Sequence, residues 1–223
     1  MPAASNMNMR EMAGMTMPMT SSWTAIDAFT AFAMWAVMMV AMMLPSASPM
    51  ILMYARIARA SGAPATRRIC VFVFGYVAIW TMFSAAAALL QYFLQRASLL
   101  STDLRIAPLV GGVVLALAGL YQLLPLKQVC LRHCHSPIGF LISKWRDGAM
   151  GAFTMGLEHG AFCVGCCWML MALLFVMGVM NLFWVAIIAV FVLFEKIAPW
   201  SRAIAGTAGI ALIASGIWIA ALA

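Results

Sequence analysis

The chain is poor in charge, and above all in negative charge. Charged residues make up 9% of its 223 residues, and only 6 residues are aspartate or glutamate. A soluble domain of this length needs a polar surface that so few charges cannot supply. The 13 lysines and arginines fall almost entirely in short stretches between apolar segments, as in membrane loops. The composition therefore excludes an ordinary soluble domain and gives no reason to expect a nucleic-acid partner.

Signatures of catalysis are also missing from the sequence. It contains no glycine-rich nucleotide loop, no Ser–His–Asp arrangement and no paired carboxylates for acid–base chemistry. The first apolar segment is too long for a cleavable signal peptide, and no small-residue cleavage pattern follows it. We therefore expect a protein that is not an enzyme and that keeps its first apolar segment.

Long apolar segments dominate the chain instead. Hydrophobic residues make up 66% of it, and its mean hydropathy is +1.03. Six segments are long enough, at about 1.5 Å per helical residue, to cross about 30 Å of hydrocarbon. We predict an all-α transmembrane bundle with about six spans, at Thr24–Leu44, Ile69–Leu94, Ile106–Leu124, Ala149–Val176, Leu182–Ala198 and Ile204–Leu222. Pro45, Pro49 and Pro125 are expected at span ends, because proline inside a helix removes a backbone hydrogen bond.

The distribution of basic residues predicts the orientation of this bundle. Only Arg10, Arg96 and Arg105 lie on one side of the predicted membrane. The other ten are Arg56, Arg59, Arg67, Arg68, Lys127, Arg132, Lys144, Arg146, Lys196 and Arg202. The positive-inside rule then places both termini outside the cytoplasm. We divide the chain into a methionine-rich extracytoplasmic tail, residues 1–23, and a single transmembrane helical domain, residues 24–223.

Candidate metal ligands are concentrated in the fourth predicted span. His159, Cys163, Cys166 and Cys167 share a stripe about 100° wide that rises about 12 Å along a helix. Side chains three or four residues apart are close enough to hold one ion between them. Thiolates with one imidazole favour Cu(I) or Zn(II), and we favour copper. The alternatives for these residues are plain packing and redox thiol chemistry.

The same span carries a pattern of small residues. Ala152, Gly156 and Gly160 recur at four-residue spacing, which lets two membrane helices approach closely. The thiol stripe continues this face, so we expect it to be buried in the bundle. Glu158 points about 80° away from the nearest of the four ligands. We nevertheless include it as a candidate that serves a neighbouring helix or the surroundings of the ion, because an acid inside a membrane is costly.

A second group of donors lies in the polar segment Lys127–Gly148, which we interpret as a cytoplasmic loop. Cys130, His133 and Cys134 are predicted to receive or release the ion at the cytoplasmic mouth of the fourth span. Because cytosolic thiols are normally reduced, a metal is favoured over a disulfide. An ordinary basic anchoring loop is the alternative. Glu195 and Lys196, at the end of the fifth span, are interpreted as an anchor at the membrane interface.

Methionine is unusually frequent, with 21 residues in the chain and 14 of them by position 53. Seven lie in the outer tail, and six of them recur every two or three residues, at Met7, Met9, Met12, Met15, Met17 and Met19. Thioethers are neutral and bind Cu(I) without losing a proton. The tail is therefore predicted to collect copper outside the cytosol, or else to be a low-complexity segment without a ligand.

These motifs resemble a bacterial family of predicted metal-binding integral membrane proteins, a domain family of unknown function. The matching pieces are Trp35 to Ser46, Leu126-Lys127, Cys130, Cys134 to Pro137, His159-Gly160, Cys163 to Trp168, Val179 to Asn181, and Glu195-Lys196 before Pro199. The resemblance implies several membrane spans, a metal site and a bacterial inner-membrane location, with no established activity. The family often has arginine where this chain has His135, so we leave His135 out of the predicted ligands.

The sequence therefore predicts a multi-pass membrane protein that binds copper or zinc for transport, storage or delivery. Its expected partners are the lipid bilayer and a larger membrane complex or a metallochaperone. One alternative is a structural accessory subunit of such a complex, in which the cysteines only pack. Another is thiol–disulfide exchange through Cys163 and Cys166, which is disfavoured because a buried helix face gives a protein substrate no access.

Overall fold

A computed structural model describes residues 23–60, 65–100 and 106–222. Within these ranges the chain folds into eight α-helices, which confirms the all-α prediction. They are α1 (Ala25–Ala60), α2 (Ala65–Arg96), α3 (Pro108–Leu123), α4 (Pro125–His135), α5 (Pro137–Lys144), α6 (Gly148–Met177), α7 (Leu182–Ile197) and α8 (Ser201–Leu222). The methionines predicted to collect copper in the tail lie outside the described residues.

Four of the described helices, α1, α2, α6 and α8, are long and apolar enough to cross a membrane. Together α3 and α4 pass the same criterion, but the pair is bent by 64° at Leu124, as in a broken span or a re-entrant loop. With 16 residues, α7 is about 24 Å long, which is less than the hydrocarbon thickness. The described part of the chain therefore contains four candidate spans, or five with the bent pair, and the prediction of about six is not confirmed.

The first helix corrects the expectation that Pro45 and Pro49 end a span. Both prolines lie inside α1, which continues without interruption to Ala60. Proline at position 49 has no N–H to donate to the carbonyl of Pro45, and the hydroxyl of Ser48 donates to that carbonyl at 2.7 Å instead. A side-chain hydroxyl thus replaces the missing backbone donor, which is how a membrane helix tolerates an internal proline.

The prediction of a polar loop between the third and fourth spans is also corrected, because most of this segment lies in α4 and α5. Each helix begins at a proline, where the missing N–H removes no intrahelical bond. The side chains of Lys127, Leu131, Phe140 and Leu141 are buried against the rest of the bundle. These short helices therefore pack inward, and α4 places its cysteines beside α6.

The central helix is α6, which packs against α2, α3, α4 and α7. Its contact with α2 uses the predicted small-residue face, and this confirms that expectation. A Cβ atom at Gly156 would lie 2.1 Å from the carbonyl oxygen of Phe72, and one at Gly75 would lie 2.5 Å from that of Phe153. The two backbones thus approach more closely than any side chain would allow.

We predict that Gly156→Ala destabilises the protein, because the new methyl group meets the backbone of α2 and no side chain can move aside. Overpacking of this kind costs about 1–3 kcal/mol. Thermal unfolding in detergent should show a lower Tm for this variant. The matched control is Gly206→Ala in α8, where a Cβ atom would have no neighbour within 4 Å. Equal melting temperatures for the two variants would contradict the close approach of α2 and α6.

Candidate metal centre

The cysteines of α6 point into the bundle, as the sequence predicts. Cys163, Cys166 and Cys167 are 0, 2 and 1% exposed. The thiols of Cys166 and Cys167 donate to the backbone carbonyl of Cys163, at 3.1 and 2.9 Å. All three sulfur atoms therefore gather around one turn of α6.

A fourth thiol reaches this turn from another helix. The side chain of Cys134, on α4, packs against the buried core that contains Cys163, Cys166 and Cys167. The sequence predicted Cys134 in a separate relay site at the cytoplasmic mouth. The structure instead makes it part of the same cluster, because the bend at Leu124 turns α4 back against α6. We call Cys134, Cys163, Cys166 and Cys167 the thiol cluster.

Cys163 is the most heavily contacted member of the thiol cluster. Its sulfur lies 2.8 Å from the Nζ atom of Lys196 and 3.1 Å from the hydroxyl of Tyr76. The same Nζ atom donates to the hydroxyl of Ser46 at 2.9 Å. Lys196 and Tyr76 come from α7 and α2, so three helices meet at this sulfur atom, and α1 joins them through the contact of Ser46 with Lys196.

The positions of Lys196 and Glu195 correct the sequence analysis, which interpreted these residues as an anchor at the membrane interface. Both side chains are buried, at 6 and 2% exposure. Glu195 forms an ion pair with Lys127, a residue counted among the loop charges but buried in α4. Lys127 also donates to Gln122. Because α7 is only about half as long as α6, its last turn ends beside the middle of α6, where Lys196 reaches Cys163.

His159 lies one turn from Cys163 and is 3% exposed. Its ring packs among aromatic side chains, with centroid distances of 5.6 Å to Tyr76 and 5.7 Å to Phe140. Its Nδ1 atom has no hydrogen-bond partner among the described residues. Buried polar atoms are normally satisfied, so this nitrogen is available for a ligand.

A cavity of about 150 Å³ lies next to the cluster and gives it a connection to the surroundings. Its walls include Met50, Cys134, His135, His159 and Lys196. The Nε2 atom of His135 contacts the carbonyl oxygen of Ala198 at 2.9 Å, which links the end of α4 to the end of α7. The cavity is therefore lined by thioether, thiol and imidazole groups and by one ammonium group.

Three of the predicted ligands do not join the thiol cluster. Glu158 forms surface ion pairs with Lys144 at 3.5 Å and Arg146 at 3.0 Å, on the side of α6 that the helical wheel indicated. The ring of His133 stacks on Phe162 with centroids 4.2 Å apart. Cys130 lies one turn before Cys134, against Gly165 and facing Cys166. It is at the edge of the cluster, whereas Glu158 and His133 are directed elsewhere.

The donor set fits a soft, low-coordinate ion better than one that needs a full cage. In the described part of the chain, no three histidine, cysteine, aspartate or glutamate side chains form a preformed metal site. Structural zinc requires four ligands in a tetrahedron. Soft Cu(I) is selected by thiolates and thioethers and is held by as few as a pair of them. Contacting thiols beside an unpartnered imidazole satisfy that weaker requirement.

Comparison with protein families decides what kind of protein carries this cluster. The model of one family, described as PpoB2, copper chaperone, matches residues 32–219. The chain belongs to this copper chaperone family. The match includes every predicted ligand and the thiol cluster, and it excludes the methionine-rich tail. Neither the curated proteins nor the solved structures contain a match to the chain.

Membership in the copper chaperone family confirms part of the earlier resemblance. The matched range is nearly the range over which the chain resembles predicted metal-binding proteins, about Trp35 to Trp218. The description concerns copper, which agrees with the preference for Cu(I) over zinc. It does not mention a membrane, so insertion into one is taken up below.

Sequence reasoning missed Lys196, Tyr76 and Ser46 as neighbours of the cluster. A basic residue at the end of an apolar run has the pattern of an interfacial anchor, and only the short length of α7 pointed to a deeper position. Tyr76 and Ser46 have no local signal, because they reach Cys163 and Lys196 only through helix packing.

We predict that Glu195→Gln strongly destabilises the protein, because it leaves the buried ammonium group of Lys127 without its counter-ion. Loss of one partner from a buried pair costs about 3–5 kcal/mol. The double variant Lys127→Met/Glu195→Gln should recover much of the loss. Denaturant unfolding in detergent measures these free energies.

The matched control for this prediction is Glu158→Gln, which breaks exposed ion pairs on α6. Such pairs contribute about 0–1 kcal/mol, so the control should unfold almost like the wild type. If Glu195→Gln were as mild as Glu158→Gln, the buried ion pair would not hold α4 and α7 together.

Proposed function

We propose that this protein is a multi-pass protein of the bacterial inner membrane that binds Cu(I) as cargo and delivers it. The observation that carries the proposal is the packing of Cys134, on α4, against the buried core that holds Cys163 and Cys166 of α6, beside a cavity that His159 and Lys196 also line. Single cysteines in helices often serve as small packing residues. Thiols from two helices gathered around a buried lysine, beside an unpartnered imidazole, form a binding centre.

Membrane insertion is supported by the apolar helices. The described residues contain four helices that can cross a bilayer, and many of their large apolar side chains are exposed. Phe29, near the start of α1, is 69% exposed, and Phe74, within α2, is 66% exposed; lipid would cover both. Of the ten basic residues assigned to the cytoplasmic side, Lys127 and Lys196 are buried, and the remainder still favour that orientation.

Copper is favoured over zinc by the family description, and the chemistry of the donors disfavours hard divalent ions. The cluster offers sulfur atoms and one imidazole without a buried carboxylate ligand, since Glu195 is paired with Lys127. A soft monovalent ion suits this set, whereas hard divalent ions prefer oxygen. Within it, Cys134, Cys163 and Cys166 would supply the first ligands. His159, whose Nδ1 atom has no hydrogen-bond partner among the described residues, lines the neighbouring cavity.

Delivery requires a path to the cluster, and the cavity provides one. A copper ion that enters it meets Met50, Cys134 and His159 before the deeper thiols of α6. Stepwise exchange between neighbouring soft ligands lets an ion move without being released into the apolar interior. The methionine-rich tail would extend this path on the outer side.

We expect detergent-purified protein loaded with Cu(I) under reducing conditions to retain about one copper ion per chain. Replacing Cys163, Cys166 and Cys167 by serine should abolish retention, because a hydroxyl is a poor ligand for Cu(I). Elemental analysis by mass spectrometry measures the metal content. The control is Cys70→Ser, an exposed cysteine of α2 that should not affect binding. A wild type that binds neither Cu(I) nor Zn(II) would contradict the proposal and favour the hypothesis of a structural accessory subunit.

A second experiment tests the convergence of the two helices. We predict that Cys134→Ser weakens Cu(I) affinity by more than about tenfold, because it removes a ligand that only α4 supplies. Competition with a chromogenic Cu(I) chelator measures the affinity. His133→Gln, one residue away on α4, should leave the affinity unchanged because its ring is stacked on Phe162. Equal affinities for the two variants would confine the site to α6.

A further inference from the structure

Lys196 is a buried cation that cannot itself be a metal ligand, because its ammonium group has no lone pair. It is 6% exposed, and its Nζ atom contacts Cys163 Sγ and Ser46 Oγ. The hydroxyl of Ser46 in turn donates to the carbonyl of Met43 at 2.9 Å, so its lone pairs face the ammonium group. Lys196 is therefore held in one position, with its charge directed at the thiol cluster.

The charged groups around Lys196 indicate that its positive charge is paired with negative charge on the cysteine sulfur atoms. The nearest carboxylate, Glu195, is neutralised by Lys127. The other titratable groups that face Lys196 are Cys134, Cys163, Cys166, Cys167, Tyr76 and His159. A buried charge is costly unless it is paired. Within the described residues, the counter-charge for Lys196 must therefore come from the thiol cluster.

Because Lys196 contributes one positive charge, the net charge of the site depends on whether the bound metal ion is monovalent or divalent. Two thiolates with one monovalent cation carry a net charge of minus one, which Lys196 neutralises. Two thiolates with one divalent cation are already neutral, and Lys196 then adds an unpaired positive charge. In an apolar interior such an excess is strongly unfavourable, because Coulomb interactions are weakly screened there.

We propose that Lys196 makes the site selective for monovalent over divalent soft ions by neutralising a bis-thiolate complex. This inference rests on the proposed function, because it needs the ion to bind at the thiol cluster. It adds a residue that touches no metal but determines which valence the centre accepts. Softness alone would not achieve this, because Zn(II) and Cd(II) also bind thiolates well.

The test compares ions of the two valences in wild type and in Lys196→Gln. Ag(I) and Cd(II) are suitable probes beside Cu(I) and Zn(II), because neither changes oxidation state. In Lys196→Gln we expect affinity for Cu(I) and Ag(I) to fall by about tenfold or more, and affinity for Zn(II) and Cd(II) to rise by a similar factor. Lys196→Arg keeps the charge and should keep the wild-type preference. Lys144→Gln removes a surface lysine and is the matched control.

The outcomes separate this inference from the proposed function. If the wild type fails to bind Cu(I) and Ag(I), the proposed function itself fails. If the wild type binds them and Lys196→Gln changes both valences by the same factor, only the role of Lys196 is overturned. Should Lys196→Gln not fold, the wild type decides the question. The quantity to compare is then the ratio of Ag(I) affinity to Cd(II) affinity, measured for the wild type and for dithiothreitol, a dithiol without a lysine, in the same buffer. We expect the ratio to be about tenfold higher for the protein, and an equal ratio would overturn the inference.

Discussion

An apolar bundle can bury a charge only if it also buries the opposite charge. This constraint determines how the last turn of α7 packs against α4, α6 and α1. Glu195 neutralises Lys127 and thereby joins α7 to α4. Lys196, the next residue, turns instead toward Cys163 on α6 and Ser46 on α1. Two adjacent residues of one short helix thus connect three other helices. Without these pairs, the last turn of α7 would have no reason to lie so deep in the bundle.

The same constraint gives the thiol cluster its chemical character. A lysine ammonium group beside Cys163 stabilises negative charge on sulfur, which is the form that binds soft metals. Membership in the copper chaperone family agrees with a copper ion as the metal that such a group would hold. The unpartnered Nδ1 atom of His159 and the adjoining cavity provide an additional donor and a route of access. Electrostatics, ligand softness and accessibility therefore support the same site.

Interrupted helices are what allow this site to form at depth. The bend of 64° between α3 and α4 brings Cys134 against α6, and the short α7 brings Lys196 to the same level. Inside a membrane, such breaks are tolerated where protein covers the backbone, and here α6 packs against both interrupted elements. In a bundle of six uninterrupted helices, Cys134 and Lys196 would lie near the helix ends, away from Cys163.

The amino-acid sequence by itself determined the all-α class, the stripe formed by His159, Cys163, Cys166 and Cys167, and the close contact at Gly156. These features depend on the helical period of 3.6 residues, which any local segment displays. Only the tertiary structure decided that Cys134 joins the stripe, that Glu158 and His133 do not, and that Lys196 is buried. Those outcomes depend on where each helix bends and ends relative to its neighbours. Local sequence patterns carry no information about that depth, because a charged residue at the end of an apolar run looks the same at a membrane surface and inside a bundle.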